Sequence, residues 1–300
     1  VTERRREWDE LCVFAFDHRN QFFDMAQQAG AAEERIPALK CLLVQAVRET
    51  EVALRLAGKV GVLIDDRYGE DALHAATGRG WWIGRPVELP GSNPLEFDRG
   101  RSVGSQLTAW PKEHVIKCLV QFHPDENVLS RLEQEAQVKA LYDAAQVSGH
   151  ELLLEVIPPK SMPAAADTVY RAVKRLYNIG IYPEWWKLEP MSAAQWAAID
   201  ALLQERDPYC RGVVMLGLNA SIAELADSFR ASRDSKTCRG FMVGRTIFQE
   251  PCSRWLAGRI DDAQLIAAIR HNFEALIGVW SETRSAAGPS GNRPAAQVAA

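Results

Sequence analysis

Eight short, β-rich apolar runs alternate with segments patterned as amphipathic helices, and no GxGxxG turn follows the first run. Together these observations predict an α/β protein folded as one closed (β/α)8 barrel, since an open doubly wound sheet would carry that glycine turn. The runs are Leu11–Asp17, Val60–Asp65, Trp81–Ile83, Val115–Phe122, Leu152–Ile157, Trp185–Leu188, Gly212–Gly217 and Gly240–Gly244. They are continuous rather than alternating, as parallel strands covered on both faces should be.

Between the strands, Ala38–Ala57 places Leu39, Leu42, Leu43, Ala46 and Val47 at helical spacing with charges on the other face. Leu129–Gln146, Ala164–Tyr177, Ala193–Gln204, Ser221–Arg230 and Ala263–Leu276 read similarly, and Ser221 with Glu224 has capping-box spacing. Gly84–Lys112, rich in Gly, Pro and Ser, predicts a long loop after the third strand. Ser285–Ala300 predicts a disordered tail. The expected organisation is therefore an N-terminal extension (1–10), one barrel (11–284) and the tail (285–300).

The 300 residues are 47% hydrophobic and 25% charged, ordinary for a globular chain and compatible with one large barrel domain. A formal charge of -4 and a pI near 5.9 argue against nucleic acid or an anionic membrane as the main partner. Arg4, Arg5 and Arg6 read as a solvated terminus. No apolar stretch approaches the roughly 18 residues of a membrane span, and no signal-peptide pattern opens the chain. The six cysteines form no CxxC pair and no His-flanked cluster, so reduced core thiols in a cytoplasmic protein are expected.

In such barrels the site lies at the C-terminal ends of the strands, so the polar residues there carry the functional information. Strand one ends in Asp17, His18 and Arg19, and strand two in Asp65. Strand four carries Lys117 and runs into His123, strand five carries Glu155, and strand six carries Lys187. A lysine and a glutamate inside apolar strands are costly unless paired or used. A Lys–Glu pair serving only strand register is one reading. The other is an amine nucleophile. Lys187 would attack a ketone, its amine made neutral by burial beside Lys117 and by Trp185 on the same strand face. Glu155 on the adjacent strand would then shuttle the proton. The turns at Gly217 and Asn219, and at Gly244 and Arg245, follow strands seven and eight, where many barrels bind phosphate. Arg245 would add a bidentate contact there.

These residues resemble the class I tagatose-1,6-bisphosphate aldolase group over about Leu11 to Phe248. The carriers are Phe14–Arg19, Leu63–Asp65, Val115–Lys117, Leu153–Glu155, Trp186–Pro190 and Val243–Arg245. The resemblance implies a Schiff-base lysine at Lys187, a proton-shuttling glutamate at Glu155 and a second barrel lysine at Lys117. It also implies a phosphate-binding arginine at Arg245 and a strand-one aspartate at Asp17, with no cofactor. His18, Arg19 and Asp65 are expected to contact substrate. Asp17-His18-Arg19, Gly61–Asp65 and the long run Pro183–Pro190 are more similar to a subgroup fused behind 5-dehydro-2-deoxygluconokinase in myo-inositol breakdown. That implies cleavage of 5-dehydro-2-deoxy-D-gluconate 6-phosphate to dihydroxyacetone phosphate and malonate semialdehyde. It also implies fusion to or association with a sugar kinase domain, which a start at Val1 rather than Met fits. A homo-oligomer is expected.

Three rivals stand beside this reading: a tagatose- or fructose-bisphosphate-type aldolase, a non-catalytic barrel partner of a kinase, and a metal-dependent aldolase. The last would use His18, Asp65, His123 and Glu155, although no HxH or HxxxH pair exists. A thiol nucleophile is disfavoured because no cysteine lies at a strand's C-terminal end.

Overall fold

The computed structural model describes residues 8–285. Strands β1 (Leu11–Ala15), β2 (Val60–Leu63), β3 (Trp82–Pro86), β4 (His114–Gln121), β5 (Leu152–Ile157), β6 (Trp185–Leu188), β7 (Gly212–Leu216) and β8 (Cys238–Val243) pair in parallel and in sequence order. β8 closes on β1, with Leu11 in register with Gly240. A Cβ at Gly240 would lie 1.7 Å from the Leu11 carbonyl oxygen, so the closing seam depends on glycine there. The expected (β/α)8 barrel is the fold.

The helices are α1 (Arg19–Gln28), α2 (Arg35–Leu54), α3 (Asp66–Ala76), α4 (Val103–Leu107), α5 (Val128–Ser148) and α6 (Thr168–Asn178). α7 (Ala193–Arg206), α8 (Ile222–Ser232), α9 (Arg245–Leu256) and α10 (Asp262–Ser285) complete the outer layer. Ser221 caps α8 with Glu224 in a reciprocal capping box, as its spacing predicts. Helices α1, α3 and α9 start within one to four residues of a strand end, and so were not separable in the sequence from strand-end turns.

Most boundaries shift by a few residues, β1 and β2 each stopping two residues early, and two shifts bear on the domain reading. β3 runs on through Gly84 to Pro86, so the expected loop begins three residues later and also contains α4. Gly84 belongs in the strand because a Cβ there would meet Leu63 Cδ2 at 2.3 Å and the Trp82 ring at 2.7 Å. α10 extends to Ser285, the first residue of the expected tail; residues 286–300 of that tail, and 1–7 of the extension with Arg4–Arg6, lie outside the described residues.

Strand periodicity divides the core in two. Leu11, Val13, Ala15, Leu63, Trp82, Val115, Leu153, Trp185, Val214 and Met242 point inward and fill the lumen. The opposite faces pack against the helices. Trp82 and Trp185 meet edge-to-face in the lumen at 6.1 Å, and Trp8 packs against the same cluster. None of the six cysteines forms a disulfide, and Cys12, Cys118, Cys238 and Cys252 are buried. Among the described residues no helix is long and apolar enough to cross a membrane.

Candidate active site

The inward faces that carry Val115, Leu153 and Trp185 carry, two residues later, Lys117, Glu155 and Lys187. Ala15 is followed in the same way by Asp17. Glu155 and Lys187 are register partners across β5 and β6, and Lys117 is in register with Leu153, one inward step below Glu155. Parallel pairing therefore brings these side chains together at the C-terminal end of the apolar lumen.

Their contacts form a chain of alternating charge. Lys187 Nζ lies 3.0 Å from Glu155 Oε1, and Lys117 Nζ lies 3.1 Å from Glu155 Oε2. Lys117 also reaches Asp17 Oδ2 at 3.4 Å and Glu88 Oε1 at 2.7 Å. All five side chains are buried. Burial opposes the charge on Lys117, but Glu155, Glu88 and Asp17 outweigh it and push its pKa well above the ordinary lysine value. Burial likewise opposes ionisation of Glu155 and Asp17, yet the lysines, Lys117 foremost, hold both below the usual carboxylate range. Glu155 separates the two lysines, whereas the sequence led us to expect Lys117 beside the Lys187 amine. The neighbour that Lys187 meets is a carboxylate.

His18 sits at the mouth of this cluster, its Nδ1 3.7 Å from Asp17 Oδ1. Burial, with the charges of Lys187, Lys117 and Arg245, pushes its pKa down to about 4 against the pull of Asp17, so the ring is neutral near pH 7. A Cβ on Gly244 would meet the Ala15 carbonyl oxygen at 2.3 Å and His18 Cε1 at 2.7 Å, which fixes glycine at that turn. Gly244 is the N-cap of α9 and Arg245 its first residue. Arg245 is half-buried and forms no ion pair with a carboxylate among the described residues. The adjacent β7–α8 turn runs through left-handed Leu218 and Asn219 and is closed by Ala220 N–H donating to the Gly217 carbonyl. Thr246 donates to the Ala220 carbonyl at 2.7 Å, tying this turn to the start of α9. Gly217, Asn219, Gly244 and Arg245 thus belong to two linked turns with a helix N-terminus, an arrangement that suits an anion.

Asp65 is not brought to the cluster. β2 ends at Leu63, and the chain turns so that Asp65 caps α3, accepting from Tyr68 N at 2.9 Å. Its other oxygen pairs with Lys40 of α2, and both side chains are fully buried. Lys40 also donates to the Phe16 carbonyl at 2.9 Å, directly before Asp17. Arg19 lies beside the cluster with its charge already engaged: it donates to the Glu88 carbonyl at 2.9 Å and pairs with Asp98 at 3.4 Å. His123 faces the β5–α6 loop, 3.3 Å from the Pro163 carbonyl. His18, Asp65, His123 and Glu155 therefore do not converge as a ligand set. Among the described residues no group of three or more His, Cys, Asp or Glu side chains is arranged to hold a metal ion.

Sequence reasoning missed Glu88, Asp98 and Lys40. Lys40 did leave a signal, a lysine adjoining Leu39 and Leu43 on the apolar face of α2.

A family model described as an uncharacterized protein conserved in bacteria (DUF2090) matches residues 1–284. No curated protein matches the chain. Among solved structures, the fold is similar to a fructose-bisphosphate aldolase from Plasmodium falciparum, determined in complex with TRAP and a small-molecule inhibitor. The TM-score is 0.64 at 12% identity, over 89% of this chain and 90% of that one.

Proposed function

The chain belongs to the DUF2090 family of bacterial proteins, and we propose that it is a class I aldolase cleaving a keto-sugar phosphate through a Schiff base on Lys187. The observation that carries this reading is the buried Lys187–Glu155 pair, 3.0 Å apart above the apolar lumen and backed by Lys117. Lys187 attacks the substrate ketone as Glu155 takes its proton; Glu155 then returns that proton to the carbinolamine hydroxyl, which leaves as water and gives an iminium. The iminium draws electrons from the adjacent C–C bond while Glu155 removes the proton of the hydroxyl on the departing carbon. An aldehyde leaves, and the enamine is protonated and hydrolysed to regenerate the amine. Lys117 holds Glu155 ionised, and Asp17 and Lys117 hydrogen-bond substrate hydroxyls. Gly217, Asn219, Gly244 and Arg245 receive the phosphate, with neutral His18 beside them.

The resemblance of Asp17-His18-Arg19 and Pro183–Pro190 supports 5-dehydro-2-deoxy-D-gluconate 6-phosphate as substrate, giving dihydroxyacetone phosphate and malonate semialdehyde in myo-inositol catabolism. A cytoplasmic homo-oligomer associated with a sugar kinase goes with that reading. The fold likeness to a fructose-bisphosphate aldolase favours a second one, a sugar bisphosphate as substrate.

The test is borohydride reduction in the presence of dihydroxyacetone phosphate, with peptide mass mapping, beside a coupled assay of dihydroxyacetone phosphate release. A covalent adduct on Lys187 and release from the deoxygluconate phosphate are expected. No adduct on Lys187 would remove the Schiff base, and turnover lost to a chelator and restored by a divalent ion would replace it with metal chemistry.

A further inference from the structure

Glu88 follows β3, and its carboxylate reaches Lys117 at 2.7 Å with Oε1 and stands 3.7 Å from Arg19 Nη2. Its Oε2 is buried and has no hydrogen-bond partner. Around the ring, β3 stands four strands from β7, the largest separation an eight-stranded barrel allows. A substrate held by its phosphate at the β7 and β8 turns and bonded to Lys187 on β6 therefore extends its other half toward Glu88.

We propose that Glu88 is a specificity-determining residue, accepting a hydrogen bond from a hydroxyl on the departing half of the substrate and keeping a second phosphate out. The proposal rests on the aldolase reading and deepens it. A buried acceptor without a partner is costly and is kept where a ligand supplies the donor. A carboxylate oxygen accepts only, so the complementary group carries a proton: a hydroxyl fits and a phosphate dianion does not. The cations on this side are already engaged. Lys117 is shared by Asp17, Glu88 and Glu155, and Arg19 by Glu88 and Asp98. With Lys187, which shares Glu155, three cations stand among four carboxylates, and this side is still net negative. An incoming phosphate, carrying about -1.5 to -2 charges, meets that repulsion in a low-dielectric lumen. A terminal carboxylate carries a single charge and meets less of it.

The experiment is calorimetric binding of two unreactive polyols that lack the ketone, glucitol 6-phosphate and glucitol 1,6-bisphosphate, to the full chain and to Glu88→Gln. The wild type is expected to prefer the monophosphate by about tenfold or more, and the preference should shrink to roughly threefold or less in Glu88→Gln. Asp98→Asn, which reduces the same negative charge without touching Lys117, should narrow the gap in the same direction and serves if Glu88→Gln does not fold. A wild type that binds the bisphosphate as tightly, or a preference unchanged in the folded variants, overturns the proposal. Dihydroxyacetone phosphate labelling of Lys187 in the same samples separates the two failures. Labelling with an unchanged preference removes the role of Glu88 alone; no labelling of the wild type removes the aldolase reading and this proposal together.

Discussion

Glu155 meets Lys187 with one carboxylate oxygen at 3.0 Å and Lys117 with the other at 3.1 Å, so one buried carboxylate serves both lysines of the lumen. Glu155→Gln keeps the shape but removes the base. Turnover should fall by about 10²–10⁴, the usual worth of a general base, while borohydride labelling of Lys187 persists. Lys187→Ala should lose both. Single-turnover rates and peptide mass mapping read the two effects separately, and a Glu155→Gln enzyme with wild-type kcat would remove Glu155 from the chemistry.

Arg245, half-buried at the first position of α9 and without a carboxylate partner among the described residues, is expected to act on binding rather than on bond cleavage. Arg245→Ala should weaken phosphate binding by about 1.5–3 kcal/mol, the worth of a charged hydrogen bond. This appears as a raised KM with kcat nearly kept. An unchanged KM would send the phosphate elsewhere.

The Lys40–Asp65 pair is fully buried between the barrel wall and the helices, so removing one partner strands the other charge. Lys40→Met should cost about 3–5 kcal/mol, read from denaturant midpoints. Lys40 also holds the carbonyl of Phe16, and kcat of the folded variant should drop because Asp17 loses its anchor. A loss of stability below about 1 kcal/mol would mean that Asp65 finds water or another donor.

His18 and His114 are both pushed down to about 4 from 6.5, each mainly by burial, with cations adding to it: Lys187, Lys117 and Arg245 at His18, Arg85 at His114. Between pH 6.5 and 4 the unfolded chain binds protons that the folded chain refuses. Stability should therefore fall as the pH drops through that window, by up to about one proton per histidine in slope. Below it, protonation of Asp17 and Glu155, whose folded pKa values are depressed, removes more. His114 contacts Thr77 and Arg85, outside the lumen, and His114→Asn should flatten the dependence measured by urea unfolding at pH 7, 5.5 and 4. An identical slope in the variant would assign the acid sensitivity to other groups.

The barrel and its central pair were legible because they break a pattern: Lys117, Glu155 and Lys187 are charges inside apolar parallel strands, and period two fixes the face they share. What was not legible depends on where strands stop. Gly84 and Pro86 read as breakers, which ended β3 too early and left Glu88 five residues from the expected strand end instead of two; the Trp82 ring that makes glycine fit at Gly84 is a tertiary fact. Asp65 has the local pattern of Asp17, a carboxylate closing an apolar run. The first residues of α3 claim it as a cap, and Lys40, 25 positions away, claims its charge. The order of charges is also three-dimensional. Lys117 and Lys187 lie two strands apart in sequence, and the side-chain distances show that Glu155 meets each with a different oxygen.

The meeting of Trp82 and Trp185 beneath Lys187 makes the barrel blind at one end. Traffic to the lysine then comes from the other rim, at the C-terminal ends of the strands. In an aldolase built this way the departing aldehyde stands in the path of the water that must hydrolyse the adduct. It has to clear the passage first, so the barrel's floor dictates the sequence of release.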